Sequence, residues 1–131
     1  MKYTHYAPKG QLSLVEERHV EEEGSQQAVI RKICELADEK RAEGYTVGIM
    51  APEETLSCYE GHADALVCVG ARHERNTVAA GLYAALREFD AANADYIYAE
   101  SFRGDGLSYA IMNRLLKAAG QRVIQVGDDS V

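Results

Sequence analysis

Residues 65–99 read ALVCVGARHERNTVAAGLYAALREFDAANADYIYA, and this stretch decides the fold. Its first five residues are a continuous apolar run closed by Gly70. A helix is expected from about Asn76 to Ala92, because Val78, Leu82, Leu86 and Phe89 recur three and four residues apart and share one face. A second short strand follows at 95–99. An apolar run without polar alternation suits a strand buried on both faces, and a helix between two such strands is the crossover that joins parallel neighbours.

The same grammar extends in both directions. Upstream, 12–15 (Leu-Ser-Leu-Val) is a short strand. Ser25 is placed to cap a helix running to about Glu43, with Val29, Ile33, Leu36 and Ala37 at helical spacing and Gly44 as its stop. Residues 46–50 form a further strand ended by Ala51-Pro52, and the polar stretch 53–64 has room for one short helix. Downstream, 107–119 is a helix that stops at Gly120, and 122–126 is a last strand. Strands alternating with helices predict an α/β chain: a three-layer Rossmann-like domain with a mainly parallel sheet of about five strands and right-handed crossovers.

With 131 residues, 47% of them hydrophobic and 27% charged, the chain is long enough to fold around one core without a disulfide or metal. It has no apolar run long enough to span a bilayer, and its opening residues lack the apolar segment of a signal peptide, so no membrane partner is expected. Three cysteines, Cys34, Cys58 and Cys68, do not make a disulfide framework and point to the cytoplasm. A formal charge of −7 argues against direct binding of nucleic acid. Glu16, Glu17, Glu21, Glu22 and Glu23 read as a solvated connection. Residues 1–10 stand apart from the domain at 11–131: they hold Tyr3 and Tyr6 but almost no aliphatic residue, which suggests an extended strap laid over another surface, the alternative being a tag-like disordered end.

Ligands of open parallel sheets gather beyond the carboxyl ends of the strands. The turn from Gly70 to Asn76 sets Arg72, His73 and Arg75 beside a helix start, and Gly104-Asp105-Gly106 opens another. Arg72, Asn76, Gly104 and Gly106 are therefore the candidate anion or nucleotide contacts. The competing reading is that the arginines pair with acids of this acidic chain and that the glycines only shape a helix entry. A dinucleotide site is disfavoured, because Tyr109 stands where the third glycine belongs and Asp105 repels phosphate. No metal site is expected: Cys58, His62, Cys68 and His73 match no tight ligand loop, and Cys34 on an apolar helix face reads as a small core residue. No nucleophile with a base and an orienter can be assembled, so no catalytic residue is assigned.

Two longer motifs carry a resemblance. Met1-Lys2-Tyr3-Thr4-His5-Tyr6-Ala7-Pro8-Lys9 resembles the Lys-Tyr-x-His-Tyr-x-Pro linker of the two-domain threonylcarbamoyl-AMP synthases. The segment from Gly106 to Gly120, with Asn113-Arg114-Leu115 and Lys117-Ala118-Ala119, is similar to the stretch near that family's C-terminus. Gly70-Ala71-Arg72, Thr77-Val78-Ala79 and Leu82 to Asp90 match its third-strand turn and helix. One departure stands out: Ser108 lies where the family often has glycine.

The resemblance implies an interdomain linker at 1–10 followed by the accessory C-terminal domain at 11–131, with a YrdC-like catalytic domain as the partner. That parent makes threonylcarbamoyl-AMP from threonine, bicarbonate and ATP for threonylcarbamoyladenosine modification of tRNA. ATP with magnesium would belong to the catalytic domain, and this chain would hold no cofactor. Lys2, Tyr3, His5, Tyr6 and Pro8 would then act as a lid over the partner's active site. An uncovered contact face would make an oligomer possible. The alternative is a freestanding nucleotide- or anion-binding Rossmann-like module.

Overall fold

The computed structural model describes residues 7–17, 25–102 and 106–126. In chain order these form β1 (Gln11–Glu17), α1 (Ser25–Ala42), β2 (Val47–Ala51), a short 3-10 helix (Leu56–Tyr59), β3 (Ala65–Cys68), α2 (Arg75–Ala91), β4 (Tyr96–Glu100), α3 (Leu107–Ala118) and β5 (Val123–Val126). Every element expected from the sequence is present, with ends shifted by one or two residues. The sheet is parallel at every pairing, in the order β3-β2-β4-β1-β5.

Period-two alternation along the strands divides the core between the two faces. Leu12, Leu14, Met50, Ile97 and Ala99 point to the side covered by α2 and α3, where Val78, Leu82, Leu86, Phe89, Ile111 and Leu115 meet them. Val15, Val47, Ile49, Ala51 and Tyr98 point to the other side, against Val29, Ile33 and Ala37 of α1 and Tyr59 of the 3-10 helix. The fold is thus a three-layer α/β sandwich of Rossmann-like type. Gly48 is required by the packing: a Cβ there would lie 2.4 Å from the buried Phe89 ring.

Cys68 departs from its sequence reading. It lies in an apolar run, yet it is exposed, because β3 is the edge strand and only one of its sides faces a neighbour. Cys34 is half-buried on α1 and Cys58 is exposed. No helix among the described residues is long and apolar enough to cross a membrane.

Candidate functional site

The carboxyl edge of the sheet gathers one buried polar cluster, centred on Glu100, the last residue of β4. By strand parity its side chain shares the face of Tyr98, and it is 1% exposed. Three side chains from distant parts of the chain converge on it. Tyr59 Oη donates to Glu100 Oε2 at 2.6 Å, and Thr55 Oγ1 donates to the same oxygen at 2.7 Å. Arg72 Nη2 donates to Oε1 at 2.7 Å and to the Ser101 carbonyl at 3.2 Å. A carboxylate so deeply placed is tolerable only because a cation and hydroxyl donors replace its water. Burial, and then the Glu100 charge, push the Tyr59 phenol well above its ordinary range, so it stays a donor.

The loop after Gly70 presents these groups. Gly70 has φ +132°, and a Cβ on it would lie 2.8 Å from the Val78 nitrogen and 2.9 Å from the Thr77 carbonyl carbon, so only glycine lets β3 turn so closely into α2. Thr77 Oγ1 accepts from the Ala71 N–H at 2.8 Å and donates to the Glu74 carbonyl at 2.6 Å, which locks the entry. Glu54 seals the outer side: its two oxygens accept from the Arg72 N–H at 2.7 Å and the His73 N–H at 3.0 Å, and from the His73 ring. Burial works to raise the Glu54 carboxyl, but these hydrogen bonds outweigh it and hold it at about 2. The same contact raises His73 above its ordinary value.

Two arginines stack around one ring. The Arg72 guanidinium carbon lies 4.3 Å and that of Arg75 5.3 Å from the centre of the buried Phe102 ring. Arg72 Nε is buried with no hydrogen-bond partner, and the aromatic face beneath it offsets part of that loss. Arg75 Nε donates to the Arg72 carbonyl at 2.7 Å and its Nη1 to Ser108 Oγ, tying the entry of α2 to that of α3. Desolvation, then the charge of Arg72, lower the Arg75 guanidinium. Ser108 thus holds a guanidinium.

Of the candidate anion contacts, Arg72 is engaged by Glu100, Asn76 is exposed in the first turn of α2, and Gly106 precedes α3 with φ +61°. Gly104 lies outside the described residues, as do Lys2, Tyr3, His5 and Tyr6 of the expected linker. The structure therefore brings Arg72 to an internal acid and leaves Asn76 apart from it. Glu100, Thr55 and Tyr59 were missed by sequence reasoning. Of the potential ligand atoms considered in the sequence, His62 is bonded to Asp38 and His73 to Glu54. Glu53, Glu54 and His73 do converge, within 4.8 Å, but on the exposed rim, where Glu54 already receives two backbone donors. Asn113 and Arg114 are exposed on α3.

Two open depressions lie at the opposite, amino edge of the sheet. One of about 220 Å³ is lined by Lys9, Gly10, Asp90, Asn93, Ala94 and Asp95. The other, about 520 Å³, borders Arg41, Tyr45, Thr46 and Asp64. Pro8, the one lid candidate within the described residues, is buried near the first of them, beside Lys9.

Comparison with known proteins agrees with this architecture. Residues 1–120 match the family model described as threonylcarbamoyl-AMP synthase, C-terminal domain. The chain is 46% identical over 125 residues to the threonylcarbamoyl-AMP synthase of Bacillus subtilis (strain 168), covering 95% of this chain and 32% of that protein. It is 38% identical over 126 residues to the synthase of Pyrococcus abyssi, covering 96% of this chain and 33% of the relative. The crystal structure of P. abyssi Sua5 complexed with L-threonine superposes with a TM-score of 0.77 at 35% identity, over 97% of this chain and 33% of that one. The crystal structure of a C-terminal Sua5 domain from Pyrococcus horikoshii aligns with a TM-score of 0.66 at 30% identity, over 91% of this chain and 99% of that one. The chain spans about a third of the length of the curated relatives it matches, and it belongs to the family of threonylcarbamoyl-AMP synthase C-terminal domains.

Proposed function

We propose that this chain is the accessory part of an L-threonylcarbamoyladenylate synthase, the enzyme that makes threonylcarbamoyl-AMP from threonine, bicarbonate and ATP for modification of tRNA. The observation that carries the reading is the family match over residues 1–120, which takes in the ten opening residues as well as all of the α/β layers before the last strand, against relatives about three times as long. Bond-making is assigned to a YrdC-like catalytic partner domain, which would hold ATP with magnesium. This chain, located in the cytoplasm, gates that partner through Lys2, Tyr3, His5 and Tyr6, with Pro8 buried at the foot of that segment.

The physical logic of a gate is exclusion of water. A carbamate and an acyl-phosphate-like anhydride are both lost to hydrolysis unless the pocket is closed while they exist. Tyr3 and Tyr6 offer apolar cover with a hydroxyl, and Lys2 and His5 offer charge to phosphate or carboxylate. In the two-domain protein, Tyr3→Ala and His5→Ala are expected to raise ATP consumed per threonylcarbamoyl-AMP formed. Unchanged yield and unchanged uncoupled hydrolysis in both variants would refute the gate.

A further inference from the structure

Two tight turns face each other at the carboxyl edge of the sheet, just beyond the exits of β2 and β3. In the first, the Thr55 N–H donates to the Pro52 carbonyl at 3.1 Å, which sets Glu53 and Glu54 at its centre. In the second, the Glu74 N–H donates to the Ala71 carbonyl at 2.9 Å, which sets Arg72 and His73 at its centre. The Glu53 N–H reaches across to the Gly70 carbonyl at 2.8 Å, and the Glu54 carboxylate accepts the Arg72 and His73 N–H groups. The backbones that carry these side chains are therefore fixed to one another before any ligand arrives.

Three ligand atoms meet where the turns touch. One carboxylate oxygen each of Glu53 and Glu54 and one ring nitrogen of His73 all lie within 4.8 Å of one another. Arms of about 2.0–2.1 Å to a tetrahedral ion would set such atoms about 3.4 Å apart, so the widest gap must close by at most about 1.4 Å. Glu53 can supply that movement, because its exposed carboxylate is held by no hydrogen bond or ion pair among the described residues. Glu54 Oε2 and His73 Nδ1 are already in contact. A ring nitrogen and a carboxylate oxygen attract only with a positive centre between them. A proton fills that role now; a metal ion can replace it, the ring releasing its Nδ1 proton to solvent and binding through the freed lone pair. The backbone donors on Glu54 leave room for this. Oε1 accepts only the Arg72 N–H, which leaves a lone pair, and ligating carboxylates are themselves oriented by such hydrogen bonds.

We propose that Glu53, Glu54 and His73 bind a divalent transition-metal ion of the zinc class, which clamps the exits of β2 and β3 together and leaves its remaining coordination positions to water. An imidazole beside two carboxylates suits zinc, cobalt or manganese, whereas magnesium and calcium take oxygen ligands alone. The site is independent of the gating role proposed above. Its ligand set is one the sequence did not group: of the four residues weighed there for a metal, only His73 takes part. The clamp stiffens the turn that presents Arg72 to Glu100.

Cobalt(II) added to this chain is the probe, because its visible spectrum reports the ligand atoms and its unpaired electrons broaden nearby amide signals. Saturable binding of a single ion is expected, displaced by zinc and without a thiolate-to-cobalt band. Broadening should centre on Glu53, Glu54 and His73. Glu53→Gln and His73→Gln should each weaken the affinity about tenfold or more, with the rest of the amide spectrum preserved. Both side chains are exposed, so neither substitution threatens the fold. Glu54 is left in place because it also holds the second turn. Failure to saturate in the millimolar range overturns the proposal. A thiolate band, broadening centred on His62 or on the cysteines, or unchanged affinity in either variant overturns it equally, since each places the ion elsewhere.

Discussion

Arg72→Met tests the carboxyl-edge cluster most sharply. The substitution keeps most of the apolar stem against Phe102 but removes the cation 2.7 Å from Glu100, a carboxylate with 1% of its surface exposed. Breaking a buried ion pair from one side costs about 3–5 kcal/mol, because the remaining charge keeps its desolvation penalty. Two features place the expected cost at the low end. Tyr59 and Thr55 still donate to Oε2, and the Arg72 side chain is itself 22% exposed, so water can enter the vacated volume. About 3 kcal/mol corresponds to a fall in Tm of roughly 9–15 °C for a domain of this length. The assay is a thermal melt of Arg72→Met, Glu100→Gln and the double variant, read as a double-mutant cycle. The double variant is expected to melt above Arg72→Met, since it no longer buries a charge. A loss below about 3 °C for Arg72→Met, or no coupling in the cycle, would refute the claim that this pair organises the edge.

Other expectations follow from single contacts. Gly48→Ala drives a methyl into the Phe89 ring and should destabilise by about 1–3 kcal/mol in denaturant unfolding; an unchanged midpoint would mean that the core yields there. Ser108→Gly removes the acceptor of Arg75 Nη1 and should cost about 1–2 kcal/mol, measurable by the same method. The Glu54–His73 contact works in two pH arms. Glu54, lowered from 4.5 to about 2, contributes stability that is present above its unfolded value and is lost as pH falls toward 2. His73, raised from 6.5, contributes stability that is present below its unfolded value and is lost as pH rises through its folded one. In an NMR titration the His73 ring should titrate above 6.5, and Glu54→Gln should bring it down; an unmoved midpoint would show that the contact does not form in solution.

The layers of this fold were legible in the sequence because burial on both faces writes itself as apolar runs, and a covered helix face as a three-four spacing. Val78, Leu82, Leu86 and Phe89 all reach the core as their spacing required. Strand order was not legible, because the crossover that returns β4 between β2 and β1 depends on packing between elements far apart in the chain. The edge strand misled for the same reason: Cys68 belongs to an apolar run, but no local signal reveals that β3 lacks a second neighbour. The Glu100 cluster was illegible in a different way. Its other members lie 28 to 45 residues from Glu100, and Thr55 and Tyr59 come from the polar stretch that periodicity could not resolve. The sequence offered Arg72 either as a contact for an anion or nucleotide or as the partner of an acid in this acidic chain. Its partner proved to be a carboxylate of this chain, Glu100, one residue past the strand expected at 95–99.

The central claim concerns a division of labour between this chain and a catalytic partner. Pyrophosphate release from ATP, with threonine and bicarbonate present, measures it directly for this chain alone, for a YrdC-like catalytic domain alone, and for the two mixed or joined by the linker. The account predicts no release by this chain, and faster or better-coupled release when it is added or joined to the catalytic domain. Release by this chain alone that survives repurification would contradict it, as would a joined protein no different from the catalytic domain by itself.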